Sequence, residues 1–150
     1  MSTLLTIILC VVLFVAVIVG AFYTPGIVGN IIQMTDITKS TQIVNSGGKT
    51  VLITLSYLML LIIMTADILI FFLILRVRSG GVFTDKSVAL IRGIAWCCFL
   101  ISAVFCGIGL YFKLAFVVAF MAAFLGLCIR VVKNVIEQAN KIKSENDLTV

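Results

Sequence analysis

Apolar positions along this chain fall into four long runs separated by short polar breaks, and that pattern predicts four helices. The second run, residues 51–75, is the clearest: a single charge, Asp67, interrupts it, and Arg76 ends it sharply. At a rise of ~1.5 Å per residue, ~20 apolar residues cross the hydrocarbon of a bilayer, so a run of this length reads as a membrane-spanning helix. The first run covers residues 4–23 and is closed by Pro25 and Gly26, residues that end helices by removing a donor and loosening the backbone. Val19-Gly20-Ala21 resembles a signal-cleavage site, but no Lys or Arg precedes the run and it exceeds a secretory h-region in length, so an uncleaved spanning helix is expected. Residues 24–50 read as a long extracytoplasmic loop. Its front, Ile27 to Met34, is spaced for a short amphipathic segment, and its tail, Asn45-Ser46-Gly47-Gly48, carries turn chemistry.

A polar connector over residues 76–84 follows. Thr84 suits an N-cap and Asp85 the positive first turn of a third helix, expected over residues 85–107. Gly107 to Lys113 leaves room only for a tight turn. The fourth helix, expected over residues 111–144, does not stop where its apolar run ends. Val131, Val132, Val135, Ile136, Ala139 and Ile142 keep helical spacing while Lys133, Glu137, Gln138 and Lys141 take the other face. The predicted fold is therefore all-α: one integral membrane domain over residues 1–150, with four transmembrane helices in an antiparallel bundle and the fourth extended into the cytoplasm.

Composition supports lipid as the solvent. The chain of 150 residues is 63% hydrophobic and 11% charged, against ~25% charged in soluble domains. That leaves no room for a separate soluble catalytic domain. The net charge of +5 comes from residues flanking the apolar runs rather than from a patch, so it reads as a topology signal and direct nucleic-acid binding is not expected. With four spans, Arg76, Arg78, Lys86, Arg92, Arg130, Lys133, Lys141 and Lys143 fall on one side, and Lys39, Lys49 and Lys113 on the other. The positive-inside rule then places both termini in the cytoplasm.

Candidate chemistry is sparse. There is no His, and Cys10, Cys97, Cys98, Cys106 and Cys128 all lie within apolar runs, so neither a metal nor a cofactor is expected and the thiols read as small packing groups. The Cys97–Cys98 pair points to two different helix faces. No nucleophile–base pair or phosphate-cradling glycine loop is present, which argues against an enzyme. Ala115, Ala119, Ala122 and Gly126 on the fourth helix, with Ala103 and Gly107 on the third, predict a close hairpin of helices three and four. Asp67 stands out, because a carboxylate at membrane depth normally faces protein and a partner. Counted from Arg76 and Asp85, Asp67 and Arg92 reach similar depths, so an Asp67–Arg92 pair is expected, with Arg130 as the alternative partner. Such a pair serves either to fix helix order or as a protonatable or cation-binding site in a transport path; a neutral, protonated Asp67 is the third option. Ser56, Tyr57, Thr65 and Ser102 are expected to bond to nearby backbone carbonyls.

Two stretches carry a resemblance. Gly81-Val82-Phe83-Thr84, followed by Leu90-Ile91-Arg92-Gly93-Ile94, and the ending Ile142-Lys143-Ser144-Glu145-Asn146-Asp147-Leu148-Thr149-Val150 resemble the YoaS-like family of uncharacterised bacterial four-helix integral membrane proteins. The resemblance implies a bacterial plasma-membrane protein. Members are often encoded beside a small helix-turn-helix regulator of the Cro/CI type, which implies a protein that controls or sequesters such a partner through its cytoplasmic face. The candidate partner-binding residues are Arg76, Arg78, Lys133, Lys141, Lys143, Glu145, Asp147, Leu148 and Val150, the last two able to add a strand to a partner. A small transporter or ion-translocating subunit using Asp67, as monomer or homo-oligomer, is the alternative, and an envelope immunity or stress protein is a third.

Overall fold

A computed structural model describes residues 2–37, 46–79 and 84–147. It contains α1 (Ser2–Ile37), α2 (Ser46–Arg78), α3 (Asp85–Gly109) and α4 (Leu114–Asp147). All four are long and apolar enough to cross a membrane.

The largest departure from the sequence pattern lies in α1. Pro25 does not end the helix; it sits inside it, and the helix runs on to Ile37. Proline removes one i→i−4 hydrogen bond and frees the carbonyl four residues earlier, here that of Ala21. The Tyr57 hydroxyl of α2 donates to that carbonyl at 3.3 Å. At the adjoining residue, the Thr24 hydroxyl donates to the Gly20 carbonyl at 2.8 Å. Neighbouring helices and Thr side chains that re-satisfy the backbone in this way are what make proline tolerable in an apolar helix. The expected loop over residues 24–50 is thereby reduced: the predicted amphipathic segment belongs to α1, and Ser46-Gly47-Gly48 opens α2 instead of forming a turn. Packing of Val28 and Leu52, both buried, supplies what the turn-forming residues lack. Lys39 lies outside the described residues.

At the other end Thr84 takes the extended N-cap conformation, with its carbonyl accepting from the Ser87 and Val88 amides. Its hydroxyl meets the Ser87 hydroxyl at 3.0 Å and makes no capping bond to the backbone. Asp85 occupies the first turn, as its charge favours. The α3–α4 connection is as tight as its sequence requires, with the Tyr111 and Phe112 amides both donating to the Ile108 carbonyl.

Each helix packs on its neighbours in sequence: α1 on α2, α2 on α3, α3 on α4. Among the described residues there is no close backbone approach of α1 to α3 or α4, or of α2 to α4. The helices therefore stand in an open row. The physical reason is that α1 and α4 expose apolar side chains on most faces, Leu5, Val12, Phe120 and Leu127 among them. Lipid solvates such faces as well as protein does, so nothing drives the ends of the row together.

Close contacts set the register. A Cβ on Gly93 would meet Leu69 at 3.1 Å, and one on Gly107 would meet Leu55 at 3.6 Å. The small buried core of Ile62, Cys97 and Val104 lies between these two points. Between α3 and α4 the Ser102 hydroxyl donates to the Ala119 carbonyl at 2.8 Å, and a Cβ on Gly126 would lie 3.2 Å from the Cys98 Cβ. Ala115 and Ala119 are buried, so the small stripe on α4 packs as its spacing predicts. The α3 half of that expectation is corrected: Gly107 faces α2 and Ala103 is exposed, while Ala95, Cys98 and Ser102 meet α4. Short side chains on both helices still set the distance; they are simply different ones.

Candidate functional site

Asp67 is buried on the face of α2 turned toward α1. It lines a cavity of about 260 Å³ with Cys10, Val11, Phe14, Ile68, Phe71 and Phe72. The carboxylate interacts with the Cys10 thiol, side chain to side chain. Thiols are weak donors, so this is a modest partner for a charge. Everything else around it is apolar.

Arg92 and Arg130 are not there. They line a different groove, between α3 and α4, together with Lys133 and Trp96. The expected Asp67–Arg92 ion pair is not made, nor is the alternative with Arg130. Gly93 lies beside Leu69, so α2 and α3 do meet near this level. Helix rotation decides the matter: α3 turns Gly93 toward α2 and Arg92 away from it, while α2 turns Asp67 toward α1. Cys10 escaped the sequence reading because the mutual register of two apolar helices leaves no periodic signal.

A second, polar site lies where α2 ends, α3 begins and α4 runs past both. Arg76, Thr84, Asp85, Lys86, Glu137, Asn140 and Lys141 line an open recess of about 760 Å³. The Asn140 side-chain amide donates to the Asp85 carboxylate at 3.2 Å, tying α4 to the start of α3. Lys133 and Glu137 form an ion pair one turn apart on α4. Acidic, basic and amide groups all line the recess. Of the predicted partner-binding residues, Arg76 and Lys141 line this recess; Arg78 is exposed at the end of α2, and Lys143 and Glu145 are exposed on the last turns of α4. Lys133 belongs to the α3–α4 groove. Asp147 is the last helical residue, and Leu148 and Val150 lie outside the described residues.

The other polar groups at depth are bonded to carbonyls. Ser56 donates to Leu52 at 2.8 Å and Thr65 to Leu61 at 2.9 Å within α2, while Tyr57 and Ser102 reach across to the next helix. Cys97 and Cys98 face α2 and α4 respectively, as a vicinal pair on a helix must, and all five thiols are free. Among the described residues no group of three or more His, Cys, Asp and Glu side chains is placed to hold a metal ion.

Comparison with curated proteins and with solved structures gave no match. Residues 1–150 match the family described as Protein of unknown function (DUF2975), and the chain belongs to that family.

Proposed function

We propose that this is a non-enzymatic multi-pass protein of the bacterial plasma membrane that acts through its cytoplasmic face by holding a small soluble partner there. Successive helices run antiparallel across the bilayer, both termini are cytoplasmic, and the end of α4 stands in the cytoplasm. The observation that carries this reading is the polar recess framed by Arg76, Asp85, Lys86, Glu137 and Lys141, which lies at the end where basic residues concentrate. The resemblance to the YoaS-like group makes a helix-turn-helix DNA-binding regulator the partner of choice. Recruitment to the membrane would then remove that regulator from DNA.

The test is co-purification from the host with the detergent-solubilised full chain, the same chain ending at Lys143, and an Arg76→Glu/Lys141→Glu variant. Ending at Lys143 keeps the Asn140–Asp85 bond intact. Recovery of a helix-turn-helix protein with the full chain, and its loss with the recess variant, supports the reading. If recess and tail changes leave recovery unaltered, the partner does not dock there and the reading fails.

A second reading has its own observation: Asp67 lines an apolar cavity facing a thiol instead of a cation. A carboxylate in such a setting is suited to carry a proton or take up a cation. Flux across liposomes that Asp67→Asn abolishes would move weight to a transport role.

A further inference from the structure

Three cations share one groove between α3 and α4. Arg92, Arg130 and Lys133 line a cavity of about 250 Å³ whose remaining walls are Ala95, Trp96 and Phe99. No carboxylate lines it. The acid within reach is Glu137, which pairs with Lys133 and feels the field of Arg92 more weakly. Three positive charges against one negative leave the groove with an excess of positive charge, and like charges held this close repel until an anion joins them.

Depth narrows the choice of anion. The stretch from Gly93 to Phe112 carries no charge; its helical part, up to Gly109, spans about 25 Å, and the turn that follows brings the whole close to the thickness of the hydrocarbon. Arg92 therefore sits at one boundary of the bilayer and Lys113 at the other. Trp96 lies one turn inward from Arg92, at the level where indole rings anchor to the interface. Arg130 and Lys133 share the groove, so all three cations lie at headgroup level.

We propose that this groove binds the phosphate of an anionic phospholipid, with the forked guanidinium groups of Arg92 and Arg130 on the phosphate oxygens and Lys133 shared between the lipid and Glu137. This inference rests on the membrane-spanning reading of the helices and not on any soluble partner. Guanidinium forks match phosphate geometry, and basic pockets between spans are known lipid sites. The acyl chains continue along Trp96 and Phe99, the apolar wall of the same groove.

The chain holds one tryptophan, so Trp96 emission reports on this groove alone. The full-length protein in non-ionic detergent is titrated with dioctanoyl phosphatidylglycerol, dioctanoyl phosphatidylcholine and inorganic phosphate. A saturable emission change with phosphatidylglycerol, at least tenfold weaker with phosphatidylcholine and absent with inorganic phosphate, is expected. At about 1 kcal/mol per basic side chain near a headgroup, the Arg92→Gln/Arg130→Gln variant weakens phosphatidylglycerol binding roughly 30-fold. Both arginines are exposed, so the variant loses no core contact; an Arg92→Lys/Arg130→Lys variant, which keeps the charges and loses the forks, should bind more tightly than the double Gln variant and more weakly than the native chain. Lys113→Gln, at the opposite boundary, leaves binding unchanged. Equal response to phosphatidylcholine, an equal response to inorganic phosphate, no loss in the double Gln variant, or the same loss in Lys113→Gln would each overturn the assignment.

Discussion

Tyr57 and Pro25 form the most direct test of how this chain keeps a proline inside a spanning helix. The perturbation is Tyr57→Phe, which removes one hydroxyl and leaves the ring in place. In the native chain it strips the Ala21 carbonyl of the donor that replaces the missing Pro25 amide. Hydrogen bonds between spanning helices are worth about 0.6 kcal/mol on average and at most about 1.7. The bond here is long, at 3.3 Å, which argues for the lower half of that range. The Ala21 carbonyl, however, lacks the amide of residue 25, and an orphaned acceptor costs more than an average bond. We expect Tyr57→Phe to cost about 1 kcal/mol in the native background. In a Pro25→Ala background the amide of residue 25 restores the helical bond, so the same change should cost close to nothing. The coupling energy of the double-mutant cycle is then about 1 kcal/mol, because the two sites share one acceptor. Reversible unfolding in mixed micelles, followed by circular dichroism, measures all four corners. Equal cost of Tyr57→Phe in both backgrounds would show that the hydroxyl does not serve the carbonyl that Pro25 frees.

Other expectations follow from the same geometry. Asp67→Asn should change stability little, because no cation is stranded when the carboxyl becomes an amide of the same size; a loss of about 3–5 kcal/mol, the cost of breaking a buried ion pair, would restore the Asp67–Arg92 pairing. Gly126→Val should loosen the α3–α4 hairpin, since even a Cβ there meets the Cys98 Cβ at 3.2 Å and the Ala95 carbonyl at 3.4 Å; cross-linking between cysteines placed at residues 102 and 119, which an interhelical hydrogen bond brings together, in a chain otherwise free of cysteine should fall, and unchanged yield would refute the close approach. Ser102→Ala should cost about 0.6 kcal/mol in the same unfolding assay, as one interhelical bond to Ala119 is lost.

How much was legible in advance can be judged residue by residue. The uninterrupted run from Val51 to Leu75 announced a spanning helix because backbone groups in lipid must bond within the helix, whatever lies beside it. The continuation of α4 past Val132 was equally readable, since its apolar and charged faces stay in phase with a helical repeat. The small stripe of Ala115, Ala119 and Gly126 announced close packing of α4. Pro25 escapes the local rule that proline ends helices because the carbonyl it frees is taken by the hydroxyl of Tyr57, a residue far along the chain. Asp67 is a different case. Its depth relative to Arg92 followed from counting along the helices, but its partner depended on rotation about the helix axis. A helix that is apolar on most faces has no hydrophobic stripe to fix that rotation.

What the sequence determined by itself was therefore everything that depends on one helix at a time: the number of spans, their composition and the charges that bound them. These follow from the cost of exposing backbone and charge to hydrocarbon, a cost paid locally. Only the tertiary structure decided that α1 passes through Pro25, that the four helices stand in an open row, that Asp67 faces Cys10, and that Arg92, Arg130 and Lys133 share a groove. Those outcomes depend on which faces of neighbouring helices meet. In lipid that choice is made by close fit and a few hydrogen bonds between residues far apart in the chain, and no pattern along a single helix records it.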